Sequence, residues 1–507
     1  MESEVAQATE SVPTASVNLD IDGLSRSFME TLSSASGKPK KDIQATIFRV
    51  PENIRRANID SFEPKMVSLG PYHRENQRFL ATDERIKLPC ANNFFRRQPG
   101  LVMNFIRKIK DKESDLRCAY SENIKMNSDD FVKMMMLDFA FMFEFLWEQA
   151  GGHRTQMEEY YSCKWAAPSI INDMLVVENQ FPFPTLLFLL YAYTAELYRH
   201  DTSLTKLAEF LCYDLMNKIH QNLSPTSTSS LSLTLNKIHQ YLSPTSTLIL
   251  NNILQNHSPT SSLTLDLTLN LSTRSFEKSG HLLHLFHSSL VSVLWAKEIS
   301  EPVEKKIIDL KDVDLSSFPS AERLRAMRMR FVNKTNGSSF LDITFDKGKR
   351  SMEIPQLVIN DDNIALIRNL IAFEQQCHGI YNCVSTYIWF MDCLINTGKD
   401  VAVLRQQKII VSRLNSDEEV AHIFNELRRT NALVAEFNHL YLAKVMKDVQ
   451  SYRRNKCNRL CALWNLSWLR QNYFKNRWVT IGVTAAIFFI LLTLVQTAFA
   501  ILSYLKQ

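Results

Sequence analysis

Apolar residues recur along most of this chain at the three- and four-residue spacing of helices. Ser416-Asp-Glu-Glu419 forms a capping box ahead of Val420, Ile423, Phe424 and Leu427, whose i, i+3, i+4, i+7 spacing predicts an amphipathic helix. From about Asp83 to Gln149 the chain reads as helices, with Ser128 the predicted cap of an apolar run that starts at Phe131. The pattern shifts to strand at Phe340–Phe345 and Arg350–Pro355, which flank Asp346-Lys-Gly-Lys and predict a hairpin with Gly348 in its turn. Two short extended segments, near Ala45–Val50 and Lys65–Leu69, each end at a proline-containing turn. The fold class is therefore mainly α with a small β component, made of short extended segments and one hairpin.

The apolar pattern is longest at the C-terminus. Trp478 to Leu505 is 28 residues without Lys, Arg, Asp, Glu or His. A bilayer core of ~30 Å needs about 20 apolar residues, and Ile481–Ile501 includes twelve that are Leu, Ile, Val or Phe. At roughly −0.3 to −0.6 kcal/mol each, these contribute on the order of −5 kcal/mol to insertion. A single transmembrane helix is predicted over 478–505, carried by Trp478, Val479, Ile481, Phe488, Leu491, Leu494, Phe499 and Tyr504, with Trp478 and Tyr504 at the two interfaces. Phe131–Trp147 is also apolar, but Lys133, Asp138 and Glu144 interrupt it. Phe181–Ala195 is short and opens with Pro182 and Pro184. Both read as core helices of the folded domain.

Residues 1–42, rich in Ser, Thr, Ala and acids and without periodicity, read as a disordered leader. A mainly helical domain spans 43–450, interrupted by a repeat. Asn217-Lys-Ile-His-Gln-Asn-Leu-Ser-Pro-Thr-Ser-Thr recurs from Asn236 with one change, Tyr241 for Asn222, and a degraded third copy starts at Asn252. The polar, Pro/Ser/Thr-rich copies predict a tandem duplication in a tolerant surface loop, about 217–272. Residues 451–477 form a basic, aromatic segment leading into the span.

Charge sharpens this division. The chain carries a net +5, yet from Val449 onward there are eight positive residues and no acid, which leaves −3 on residues 1–448. Seven of the eight, Arg453, Arg454, Lys456, Arg459, Arg470, Lys475 and Arg477, precede the span, four of them (Arg459, Arg470, Lys475 and Arg477) within 20 residues of it, and Lys506 alone follows it. That asymmetry predicts the N-terminal side in the cytosol, so the protein is expected to be single-pass with the bulk of the chain cytosolic. The basic segment suits anionic membrane lipid. A nucleic-acid partner is not expected, because that function calls for basic stripes on the folded domain. Nine dispersed cysteines without a C-x-x-C, and a start lacking the apolar core of a secretory signal, fit a reducing compartment. The N-x-S/T sequons at Asn222, Asn256, Asn270, Asn333, Asn336 and Asn465 would then stay unmodified.

Chemistry-bearing motifs are sparse. There is no P-loop, dinucleotide fingerprint, zincin helix or nucleophile elbow, and Ser36-Gly37-Lys38 lacks an upstream glycine. His281, His284 and His287 share a helix face, as zinc ligands would, without a nearby Cys or carboxylate in sequence to complete a site. Glu178-Asn179-Gln180 and Glu374-Gln375-Gln376 place carboxylates beside amides amid apolar sequence. Such groups serve acid–base chemistry or satisfy buried backbone. Cys457 and Cys461 stand beside the span, either as S-acylation sites or as free thiols. No catalytic, cofactor-binding or metal residue is assigned.

Several of these stretches resemble a known family. Ile47-Phe-Arg-Val-Pro51 and Phe62-Glu-Pro-Lys-Met-Val-Ser-Leu-Gly-Pro-Tyr-His73 resemble the opening signature of the plant domain-of-unknown-function 247 proteins, also called uncharacterised protein family 0481. Met134–Asp138, Val177–Phe183, His281–His287, Asn369–Gln375, Phe390–Ile395 and the terminal Tyr473, Trp478 and Thr493-x-x-Gln496-Thr pattern follow in family order. The chain departs in having Phe62 for Tyr, in the 217–272 insert, and in the basic Arg323-Leu-Arg-Ala-Met-Arg-Met-Arg-Phe331. The resemblance implies a plant membrane-associated protein without established activity or ligand. Some relatives are tied to recognition and self-incompatibility, which implies a signalling role. The leading expectation is a non-enzymatic, membrane-tethered interaction or signalling module with unidentified protein partners. The alternatives are a membrane-proximal hydrolase using Glu178 or Glu374 and a metal-binding regulator using the histidine face.

Overall fold

The computed structural model describes residues 26–27, 29–30, 45–96, 99–149, 165–183, 189, 215–225, 280–296, 318–335, 337, 339–377, 379–430, 441–454 and 477–504. The chain divides into two compact units, Met1–Gln44 and Ala45–Gln507. In the first, the four described residues Arg26, Ser27, Met29 and Glu30 are helical. The rest of the expected disordered leader lies outside the described residues.

The second unit is mostly helical, with two small sheets. Its helices are α1 (Glu52–Arg55), α2 (Gln77–Thr82), α3 (Leu88–Arg96), α4 (Leu101–Cys118), α5 (Ser128–Gln149), α6 (Ala166–Asp173), α7 (Leu282–Ala296), α8 (Ala321–Ala326), α9 (Asp361–Gln376), α10 (Cys383–Leu394), α11 (Gly398–Gln406), α12 (Asp417–Thr430), α13 (Ala443–Arg454) and α14 (Arg477–Tyr504). Strands β1 (Arg330–Asn333), β2 (Thr344–Asp346) and β3 (Ser351–Ile354) form one sheet in the order β1-β3-β2. Strands β4 (Leu357–Ile359) and β5 (Ile410–Ser412) form the other.

Burial explains the helices. In α5, Phe131, Met134 and Met135 are fully buried, and every residue from Asp138 to Leu146 is buried, Asp138 and Glu144 among them. A helix enclosed on all sides reads as nearly continuous apolar sequence. Phe94 of α3, Phe105 of α4 and Phe139 of α5 meet at ring-centroid distances of 5.4–6.1 Å, the edge and tilted geometry aromatic rings favour. One hydrophobic cluster runs from Val50 to Tyr452. The predicted apolar face of α12 holds, with Val420, Phe424 and Leu427 buried. Its cap holds too, since Ser416 Oγ accepts the Glu419 N–H at 3.1 Å. The Glu419 carboxylate reaches back to the Asn415 N–H instead of that of Ser416. At α5 the cap moves one residue: Asn127 Oδ1 accepts the Asp130 N–H, and Ser128 Oγ donates to Glu113.

The hairpin forms in shortened register, Thr344↔Glu353 to Asp346↔Ser351. The left-handed residue of its turn is Arg350, φ 52°, not Gly348. Strand β3 also pairs in parallel with β1, Arg330↔Ser351 through Asn333↔Ile354, and β4 pairs in parallel with β5. The two extended segments near the N-terminus form no strand. Ile47 makes a single bridge to Tyr120. The N–H groups of Lys65, Met66 and Val67 donate to the Asp173 carboxylate at 2.6–2.9 Å, so no neighbouring strand receives them.

The insert boundary needs correction. Residues 215–223 are helical, and Ile219, His220, Leu223 and Ser224 of the first repeat copy are buried in the core. Ser224 Oγ donates to the Gln356 carbonyl. The repeat therefore begins inside the domain, and 226–279 lies outside the described residues. Of the predicted core helix Phe181–Ala195, Phe181, Phe183 and Leu189 are described and buried. The remainder, Pro182 aside, lies outside the described residues.

Candidate functional site

The turn after α6 presents Glu178, Asn179 and Gln180 to the core, and each ties down a different stretch of backbone. Glu178 Oε1 accepts the Val50 N–H at 2.9 Å, and Arg55 Nη1 donates to both carboxylate oxygens at 2.7–2.8 Å. Asn179 accepts the Leu69 N–H and donates to the carbonyls of Val67 and Asp173. Gln180 donates to the Met174 and Val176 carbonyls and accepts the Leu283 N–H. Asn369 of α9 accepts the Val177 N–H and donates to the Ser61 carbonyl. These side chains stitch the Val50–Gly70 segment to α9 and α7.

Glu374 has a parallel role. Its two oxygens accept the Val384 and Ser385 N–H groups at 2.8 Å, which caps α10, and Oε1 lies 2.7 Å from His287 Nε2. A general base needs an open oxygen within reach of a substrate proton. Glu178 and Glu374 are buried with both oxygens engaged by the protein.

The three histidines, His281 just before α7 and His284 and His287 on it, diverge. His281 Nε2 lies 2.9 Å from the Thr46 carbonyl, His284 Nδ1 accepts the Gly280 N–H, and His287 meets Glu374. All three rings surround Phe373, with centroids 5.2–5.5 Å away. Burial, with His284 alongside, pushes His281 down to about 3, and burial with His287 alongside pushes His284 down to about 4. The carboxylate that the neighbouring sequence lacks is supplied in space to His287 alone, by Glu374, 87 residues away in sequence. Among the described residues, no group of His, Cys, Asp and Glu is arranged to hold a metal ion. Burial also raises the Cys377 and Cys393 thiols to about 12, the reverse of what a reactive nucleophile requires.

Sequence reasoning missed a buried ion pair. Lys87 Nζ lies 2.6 Å from Asp138 Oδ1 and 2.5 Å from the Ser68 carbonyl, and Asp138 Oδ2 accepts the Gly70 N–H. The signal was the single acid within Met134-Met-Met-Leu-Asp138, a charge that an enclosed helix carries only with a partner.

At the C-terminus, all eight predicted anchor residues lie on α14, one helix of 28 residues. Thr484–Ile501 has a mean hydropathy of 2.2, and none of it is buried against the protein. Phe488, Leu494 and Phe499 are 61–69% exposed. This helix is long and apolar enough to cross a membrane. Of the basic residues before it, Arg453 and Arg454 end α13 and Arg477 begins α14. Lys456, Arg459, Arg470 and Lys475, with Cys457 and Cys461, lie outside the described residues.

Comparison with known proteins yields one family and two relatives. The family model described as plant protein of unknown function, DUF247, matches residues 47–492. The chain is similar to the UPF0481 protein At3g47200 of Arabidopsis thaliana, 27% identical over 501 residues, covering 95% of this chain and 92% of that protein. It is also similar to the putative UPF0481 protein At3g02645 of the same plant, 22% identical over 500 residues and 90% of each chain. No solved structure matches.

Proposed function

The chain belongs to the DUF247 family of plant proteins of unknown function, and from that premise we propose that it is a membrane-tethered interaction or signalling module. The observation that carries this reading is α14, a 28-residue apolar helix whose Thr484–Ile501 stretch has none of its length buried against the protein. Leaving side chains such as Phe488, Leu491 and Leu494 in water forgoes ~1.5–3 kcal/mol each, whereas a bilayer accepts them. Arg459, Arg470, Lys475 and Arg477, within 20 residues before the span, against Lys506 after it, support a cytosolic domain. The engaged carboxylates of Glu178 and Glu374 favour a scaffold over a hydrolase, because their hydrogen bonds join distant segments of the fold. The partner is a protein recognised by the domain surface, with membrane lipid holding the tail.

The test uses full-length protein with an N-terminal tag in intact plant microsomes. Alkaline carbonate should leave the protein in the membrane pellet. Added protease should digest the tag, and no sequon should carry glycan. Release by carbonate would overturn the tether, while a protected tag or an endoglycosidase-sensitive mass would reverse the orientation.

A further inference from the structure

We infer that the surface built from the turn after α8, the β2–β3 hairpin turn and the end of α13 is a docking face for an anionic lipid bilayer, so that the domain lies on the membrane that anchors it. This rests on the tethered reading and adds a second, electrostatic contact to it. Three hydrogen bonds bring the pieces together. Lys347 Nζ in the hairpin turn donates to Ser451 Oγ of α13 at 3.0 Å. Tyr452 of the same helix donates to the Met327 carbonyl at 2.6 Å. Arg330 N–H donates to the Arg350 carbonyl at 2.9 Å. Phe345 and Tyr452 pack edge to face beneath them, centroids 6.0 Å apart.

Charge picks out this surface from the rest of the domain. Residues 321–330, 344–354 and 443–454 hold eleven basic side chains against four acids, a net +7. Residues 1–454 as a whole carry −1, so everything outside those three segments sums to −8. Arg325, Arg328, Arg330, Lys347, Lys349 and Arg350 are all exposed. Two of them, Arg328 at φ 64° and Arg350 at φ 52°, occupy the left-handed conformation that glycine tolerates far better than arginine. Basic side chains thus stand at two turns where backbone preference favours glycine. Val332, 41% exposed on β1 beyond Arg330, adds an apolar contact. Such a face is attracted to an anionic leaflet within a screening length of ~10 Å at 0.1 M salt. Its end at Arg454 leads directly into the chain segment that carries Lys456, Arg459, Arg470 and Lys475 toward α14.

The test reconstitutes full-length protein into bilayer discs of phosphatidylcholine alone or with added phosphatidylserine. It follows amide hydrogen exchange of peptides covering 323–330 and 345–352. Exchange should slow in the phosphatidylserine discs and match between the two lipids at about 1 M salt, where the screening length falls to ~3 Å. R325Q/K347Q/K349Q should lose roughly fivefold of that protection per charge, on the order of a hundredfold in all, while its melting temperature stays unchanged. Equal exchange in the two lipids at low salt overturns the docking face, and so does protection that the substitutions leave intact. If the triple variant melts early, the salt titration of the unaltered protein decides. Carbonate extraction reads the anchor independently, so loss of the tether and loss of docking are distinguishable.

Discussion

Lys87 and Asp138 form an ion pair with both side chains fully enclosed, 51 residues apart in sequence and 2.6 Å apart in space. The pair also holds the Ser68 carbonyl and the Gly70 N–H, so it fixes the path of the Val67–Gly70 backbone. Lys87→Met should destabilise the domain by ~3–5 kcal/mol, because an uncompensated carboxylate remains buried. K87M/D138L should recover part of that loss and still fall short by ~1–3 kcal/mol, since the Ser68 and Gly70 groups lose their partners. Urea midpoints of full-length protein in detergent read both values. A double variant as stable as the unaltered protein would show that the pair is dispensable.

Gly70 and Gly379 separate conformational strain from crowding. Both have positive φ, 67° and 82°. A Cβ on Gly70 would lie 2.7 Å from the Gln180 carbonyl and from Tyr120 Oη, whereas one on Gly379 meets nothing within 4 Å. Gly379→Ala should therefore cost only the left-handed penalty of ~1–2 kcal/mol. Gly70→Ala adds overpacking of ~1–3 kcal/mol. Thermal melts should rank the two variants in that order, and equal shifts would count against the close approach of Gln180.

Acid stability should be governed by buried imidazoles. Burial lowers His220 and His284 to about 4 and His281 to about 3, from 6.5. Between pH 6.5 and about 4 the unfolded chain binds protons at these three sites and the folded chain does not, so their contribution is complete above pH 6.5 and is lost as pH falls. Each adds up to ~1.4 kcal/mol per pH unit to the slope. Asp173 opposes them: burial raises it to about 6 although three backbone N–H groups pull it down, so there the folded state holds the extra proton. Urea midpoints should fall from pH 6.5 to 4.5, and His281→Gln should flatten that fall. A midpoint constant over that range would exclude neutral buried imidazoles.

How much of this was legible beforehand follows from the range of each interaction. The α12 cap and stripe, the hairpin and α14 depend on residues a few positions apart, and all were readable. The parallel pairs β1–β3 and β4–β5 were not, since three- or four-residue strands are too short to display alternation. The Lys65–Val67 segment has strand-like composition, but its N–H groups bond to Asp173, more than a hundred residues away. Glu178 and Glu374 were recognisable as buried carboxylates, yet their roles depended on Arg55 and His287. Nothing in local sequence identifies those partners. The basic segment Arg323–Arg330 was visible as composition, and only the folded chain joins it to Arg350 of the hairpin turn and Tyr452 of α13.

The repeat allows a sharper test, because its first copy fills a position in the core and its second copy carries the same side chains. Asn217, Ile219, His220, Leu223 and Ser224 are buried, and Asn236, Ile238, His239, Leu242 and Ser243 repeat them at a constant offset of 19. The one difference within the helical stretch is Tyr241 for Asn222, a position exposed in the first copy. Asn222 contributes only its backbone carbonyl to Asn363, which a tyrosine supplies equally. Deleting residues 217–235 joins Met216 to Asn236 and places the second copy where the first had been. That variant should melt within ~1 kcal/mol of the full chain, as loop length alone changes closure entropy by only ~0.6 kcal/mol per doubling. Deleting 217–272 removes both intact copies. Losing Ile219 and Leu223 together should cost at least the ~2–5 kcal/mol of one large-to-small core change. Deleting 226–272 spares the buried residues of the first copy and should be tolerated. Parallel melts of the three variants decide. Failure of the 217–235 deletion alone would mean that the second copy cannot take the place of the first, and equal tolerance of all three would remove the first copy from the core.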